Sequence, residues 1–209
     1  MDFIRYILLL IISFLLFISC ATKDATLRRL EDVHRAEASL VRYNENEDII
    51  LSIVNAAQNG SRDVRAESLW VLAKLQSQEA YSDFVKLSVE DPDFNVRSLA
   101  LYGVGRVRGK SVDAIDSVRR AINDTNLQVQ IEALKVSGIL NDSRLLNSIL
   151  ESLSSKNKWV RIAAVEALKD YKDDRVDRSL KLLLSTDNDL AVKSAIKQVL
   201  EYRDKNINK

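Results

Sequence analysis

His34 and Cys20 are the only histidine and the only cysteine in this sequence, and those two side chain types supply most catalytic bases, thiol nucleophiles and metal ligands. A site built from imidazole ligands cannot be assembled around one His34 within one chain. A serine nucleophile with a histidine base would likewise have to converge on that single position. Gly103 and Gly105 form a lone G-x-G inside an apolar helical pattern, which reads as close helix packing and not as a phosphate-cradling loop. Basic residues do recur: Arg65, Arg97, Arg161 and Lys193 each follow a valine, and Gln130 takes the remaining place. Such cations could form a stripe for phosphate or nucleic acid. The 31 basic and 30 acidic residues are interspersed, however, and a net charge of +1 gives little field for steering polyanions. Thirty acids spread over the chain leave paired-carboxylate catalysis open on composition, but no motif points to it. The chain is read as a non-enzyme, with no metal and no cofactor.

The elements that position these residues follow from the valines. Val64, Val96, Val129, Val160 and Val192 step by 32, 33, 31 and 32 residues, a period that marks stacked two-helix units. First helices are expected at 49–57, 81–89, 112–122, 144–153 and 176–184. Turns such as Asn59-Gly60-Ser61, Asp91-Pro92-Asp93 and Asn123-Asp124-Thr125 supply stops and N-caps. The second helices carry the repeat. Four residues after each valine stands Ser68, Ala100, Ala133, Ala164 or Ile196, and eight after it Leu72, Val104, Ser137, Leu168 or Leu200. With the valine these positions span about 80° of a helix, one buried stripe. Leu69, Leu101, Leu134 and Val165, five after the valine, and Leu75, Val107, Leu140 and Tyr171, eleven after it, widen the stripe. Lys197 and Arg203 replace them in the fifth unit, which reads as a polar end cap.

The units resemble HEAT repeats of the short kind also found in phycobilin-lyase-type proteins, over residues 45–204. The resemblance is carried by a turn acid followed by the valine and its basic neighbour: Asp91 with Val96 and Arg97, Asp124 with Val129, Asp187 with Val192 and Lys193. It implies an all-α, right-handed α-solenoid of about five two-helix repeats. It also implies that Asp91, Asp124 and Asp187 with Arg65, Arg97, Arg161 and Lys193 form a hydrogen-bonded ladder between neighbouring repeats. Asn59, Ser155 and Gln130 depart from the pattern and put a continuous ladder in doubt. The His-Glu pairs of HEAT-like hydroxylases are missing, and the basic groove of HEAT-like DNA glycosylases does not fit a chain of net charge +1.

The first residues have a different pattern. A nearly unbroken apolar run from Ile7 to Ile18 is short for a spanning helix of about 20 residues and fits a secretory signal. Phe17-Ile18-Ser19-Cys20 resembles a bacterial lipoprotein signal, in the looser form of spirochaete lipoproteins, which implies acylation of Cys20 and stable membrane tethering. A plain signal peptide or uncleaved anchor is the alternative. The expected organisation is a signal at 1–19, a lipidated cysteine and short tether at 20–24, a capping helix at 25–43, the array, and a polar tail at 205–209. A free helical spacer is the alternative for 25–43.

Positions two, six and nine after each valine are expected to face solvent. The sixth-position row is Trp70, Tyr102, Lys135, Glu166 and Gln198, and the resemblance places second helices on the concave side. Trp70 and Tyr102, flanked by Lys74, Arg106 and Lys135, are the candidate anchors for a protein or peptide partner; Trp159 is expected to cover a repeat junction. The functional expectation is a tethered protein-binding scaffold or assembly factor, exported to the periplasmic or surface face of the cell envelope. A lyase-like enzyme or subunit and a purely structural envelope spacer are the alternatives.

Overall fold

The computed structural model describes residues 30–43 and 47–207. The expected signal, Cys20, the tether and the start of the expected first helix lie outside them. Among the described residues there are eleven α-helices and no strand, the architecture of an α-solenoid. The helices are α1 Leu30–Tyr43, α2 Glu47–Asn59, α3 Arg62–Leu75, α4 Tyr81–Glu90, α5 Phe94–Val107 and α6 Val112–Ile122. They continue with α7 Leu127–Leu140, α8 Leu146–Ser152 after a 3-10 turn at Ser143–Leu145, α9 Lys158–Ala167, α10 Asp174–Thr186 and α11 Leu190–Asn206.

The chain divides into two compact units, one through Leu72 and one from Ala73. In the first, α1 is packed: Val33 is fully buried and His34 Nε2 lies 2.9 Å from Glu67 Oε1 of α3. Ile50, Ile53, Val54 and Ala57 of α2 and Val64, Leu69 and Leu72 of α3 complete its core.

In the second unit the second helices pack in series, α5 on α7, α7 on α9 and α9 on α11, while α4, α6 and α8 form the adjoining row. Caps start them where the turn chemistry predicts. Asp93 Oδ1 accepts from the backbone N–H of Asn95 and Val96, Asn126 Oδ1 from Gln128 and Val129, Asn157 Oδ1 from Trp159, and Asp189 Oδ1 from Ala191 and Val192. Each satisfies helix donors that would otherwise lack partners, and removing such a cap costs about 1 kcal/mol.

The buried stripe is wider than one side of a helix. All five period valines and all five residues four after them are buried, but so are Val71, Val136, Ala167 and Val199, seven after, and Ala73 and Gly105, nine after. Gly138 is half-buried, and only Lys169 and Glu201 of the ninth-position row face solvent. Position two is also mixed, with Ser98 buried. The expectation that both rows face solvent is therefore corrected. A second helix is covered by its own first helix and also by the second helices of adjacent repeats. A Cβ on Gly105 would stand 3.1 Å from Val136 Cγ2, and one on Gly138 3.0 Å from the Ala167 backbone. Gly103 has the phenyl ring of Phe84 against it, leaving no room for any side chain.

Arg203 corrects a second expectation. It is 1% exposed, an internal residue and not a solvated cap. Its Nη1 donates to the carbonyls of Leu168, Lys169 and Tyr171, and its Nε to Asp177 Oδ1 at 2.7 Å. Helix α9 has 10 residues where α5 and α7 have 14. Its early end leaves carbonyls that a guanidinium can collect.

Candidate functional site

The recurring basic residues lie on the turn edge of the array. Arg97 donates Nε and Nη2 to the two carboxylate oxygens of Asp124 in the next repeat, both at 2.8 Å, and Nη1 to the carbonyls of Asp91 and Pro92. Arg161 repeats this arrangement with Asp187 and the carbonyls of Ser155 and Lys156. The carboxyls have a second duty, since Asp91, Asp124 and Asp187 each accept the backbone N–H two residues on. Arg161 holds the Asp187 carboxyl below its ordinary range; burial, the largest single influence on Asp124, pushes that carboxyl up, but the hydrogen bonds from Arg97, Asn126 and Thr125 and the Arg97 charge together bring it down.

One rung is empty of charge at both ends. Gln130 keeps the bond to the turn carbonyl, Nε2 to Asp124 O at 2.6 Å, and Ser155 keeps the bond from the N–H of Asn157. The ion pair between them is absent, cation and anion together. An arginine left there without its acid would be a part-buried charge without a partner, the costly case. Arg65 donates to the Gly60 carbonyl. The Lys193 ammonium, in the last repeat, has no partner among the described residues. Trp159, expected over a junction, is 55% exposed, with the Lys158 ammonium 5.3 Å from its ring centroid; across that junction run the ion pairs Arg161–Asp187 and Lys158–Asp189.

The candidate anchors are distributed as follows. Trp70 lies in the first unit and is 40% exposed. Lys74, Tyr102, Arg106 and Lys135 belong to the second, Tyr102 half-buried and the other three exposed. Only Lys135 lines the depression of about 550 Å³ on the second-helix face, together with Arg108, Ile139, Glu166, Lys169 and Asp170 over a floor that includes Gly138, Ala163, Ala167 and Val199. Lys135 Nζ lies 3.4 Å from Glu132 Oε2, and Asp170 Oδ1 accepts from the Tyr202 hydroxyl at 2.8 Å. Ile139 and Asp170 stand ten residues after their valines, a row one helical turn beyond the sixth-position row that sequence reasoning did not follow.

Among the described residues, the carboxyls that depart from ordinary values (Glu79, Asp124, Asp142, Asp173, Asp187, Asp189 and Glu201) all move down. Burial pushes the Tyr171 hydroxyl up, and that hydroxyl donates to the carbonyls of Ser137 and Asp142. Among the described residues no cluster of His, Cys, Asp and Glu could hold a metal ion, and no helix is long and apolar enough to cross a membrane.

Residues 50–133 and 116–201 each match the sequence model of the HEAT repeats. The chain belongs to the HEAT-repeat family. No curated protein matches the sequence. Among solved structures, this HEAT array is similar to a designed armadillo repeat protein in complex with the peptide (KR)4, at 14% identity over 87% of this chain and 98% of that one, with a TM-score of 0.62. It is also similar to the complex of CpcE and CpcF of phycocyanin lyase from Nostoc sp. PCC7120, at 17% identity over 74% and 99%, with a TM-score of 0.60. An engineered protein follows at 15% identity, 88% of each chain and a TM-score of 0.54. At these identities the likeness is one of fold.

Proposed function

We propose that this HEAT-repeat protein is a membrane-tethered scaffold or assembly factor that binds another protein on its second-helix face. The observation that carries the reading is the contrast within one repeat frame. Turn-edge arginines are engaged with acids of the next repeat, while the second-helix face keeps a depression with a half-exposed isoleucine and charged groups. A repeat array offers an extended surface of this kind without a catalytic centre. Two structural neighbours, one in complex with the peptide (KR)4 and one a complex of CpcE and CpcF, favour a protein occupant. Trp70, Lys74, Tyr102, Arg106 and Lys135 remain the candidate contacts. Export and acylation at Cys20 rest on the Phe17-to-Cys20 motif after its apolar run and place the array on the periplasmic or surface side of the envelope.

The test has two parts. Labelled palmitate should enter the wild-type protein and not Cys20→Ser, which should leave the membrane fraction; retention of label sinks the tether. Cross-linking on intact cells followed by purification through the native anchor should recover one stoichiometric protein. Trp70→Ala with Tyr102→Ala should lose that partner while keeping helical circular dichroism. Unaltered capture by the double variant rejects those two anchors.

A second reading, an enzyme subunit that works only with a partner, draws on the phycocyanin lyase neighbour. A purely structural spacer would yield no stoichiometric partner.

A further inference from the structure

We infer that the depression between Arg108 and Asp170 is a side-chain subsite for a partner peptide segment carrying a basic and an acidic residue around an aliphatic one. This rests on the protein-binding reading and names the chemistry of its occupant. Three of the five charged side chains that line the depression are already engaged. Lys135 is held by Glu132, and Asp170 accepts from Tyr202 and lies 3.9 Å from Lys169, whose ammonium also sits 5.5 Å from the Tyr202 ring centroid. Two charged groups remain. Neither the Glu166 carboxylate nor the Arg108 guanidinium has an ion pair or side-chain hydrogen bond among the described residues, and both are exposed.

Between them Ile139 is 49% exposed, and Gly138, Ala163 and Ala167 keep the floor low. An aliphatic side chain seated there would cover Ile139 while its neighbours reach the two charges. The volume, about 550 Å³, lies in the range of ligand sites. Because the depression is open along its solvent side, it suits a segment laid across it and does not enclose a free small molecule. Opposite charges within one depression favour an occupant of mixed sign. They disfavour a uniformly basic or uniformly acidic one, since each such occupant meets one like charge.

Arg108 caps α5 with φ 58° and ψ 27°, the left-handed region, where glycine is the unstrained residue; Gln76 and Asn141 take the same conformation, at φ 54° and 46°, after α3 and α7. Gly109 stands one position later, where a Cβ would run into the Tyr81 ring. An arginine thus occupies a position whose local geometry favours glycine, and its guanidinium has no ion pair or side-chain hydrogen bond among the described residues.

The experiment is selection from a random twelve-residue peptide library on the full-length protein in detergent, run in parallel with Glu166→Gln, Arg108→Gly and Arg108→Gln. Enriched peptides should share a basic and an acidic residue flanking an aliphatic one, and each variant should bind them about fivefold or more weakly. Exchanging the two charges of a selected peptide should abolish its binding to wild type and restore it to Glu166→Arg combined with Arg108→Glu. Enriched peptides that bind all variants with unchanged affinity overturn the subsite and leave the protein-binding reading standing. Failure to enrich any peptide, together with no stoichiometric partner from cells, overturns both.

Discussion

Arg97 on the turn edge and Arg108 at the end of the same helix are eleven residues apart and chemically identical. Arg97 engages its donors with a carboxylate of the next repeat and two turn carbonyls, whereas the Arg108 guanidinium makes no such contact among the described residues. The acids divide similarly: Asp187 is locked between Arg161 and the N–H of Asp189, while Glu166 faces solvent unpaired. Charge in the first region holds repeats in register; charge in the second is available to a partner. The rung between Gln130 and Ser155 shows how strictly the first region is kept. Both charges are gone there, and the neutral hydrogen bonds to the turn remain. Substitutions in the two regions should therefore separate stability from binding.

The largest effect is expected inside the array. Arg203→Ala would remove the buried guanidinium that donates to Asp177 and three carbonyls, and unfolding in urea should show a loss of about 3–5 kcal/mol. Arg203→Met should lose less, because the side chain volume is kept and other repeats place Leu75, Val107 or Leu140 at this position. A loss below about 1 kcal/mol for the alanine variant would return Arg203 to the role of a surface cap.

Next in size is the Arg161 rung. Arg161→Ala should cost about 2–4 kcal/mol, since Asp187 stays 4% exposed at its side chain with its counter-charge removed. Arg161→Gln combined with Asp187→Ser copies the neutral rung and should recover a coupling of about 1–3 kcal/mol relative to the sum of its singles. Strict additivity would show that the two residues do not act as a pair.

These two cases also mark what could be read before the structure. The valine period, the caps and the acid–base spacing are local, repeated features, and they give helices, turns and ladder partners directly. Arg203 was misread because its partners are carbonyls exposed by the early end of α9, about 32 to 35 residues away. The ninth-position row was misread because Gly105 and Gly138 are covered by the next repeat, an approach that a single helical wheel does not contain. On the candidate face, Lys135 and Glu166 were visible in the sixth-position row. Ile139 and Arg108 were not, since they are recruited by the neighbouring turn and by a left-handed helix end.

Acid should loosen the carboxyls that arginines hold. Asp124, Asp187 and Asp142 have folded pKa values below their ordinary ones, Asp142 at about 2 because Arg144 donates to it. Such groups stabilise the fold at pH above their unfolded values, near 4, and lose that contribution as pH falls through the folded values. Urea midpoints should therefore decline from about pH 4 toward pH 2, and Asp142→Asn should flatten the decline. An unchanged slope would mean that Arg144 does not hold Asp142 in solution.

The smallest effects separate the regions most sharply. Restoring charge to the vacant rung with Gln130→Arg and Ser155→Asp together should change stability by no more than about 1 kcal/mol, because an added pair roughly offsets its own desolvation, while Gln130→Arg alone should destabilise. On the opposite face, Glu166→Gln should stay within about 0.5 kcal/mol of wild type, as expected for an exposed side chain without partners. Arg108→Gly should raise stability by up to about 1 kcal/mol, since glycine relieves the left-handed cap and the arginine makes no ion pair or side-chain hydrogen bond among the described residues. The sign at Arg108 is decisive. A gain in stability coupled to weaker peptide binding means that this arginine is kept against the preference of its own backbone. A loss would mean that its side chain supports the fold after all, and that the contrast with Arg97 is one of degree.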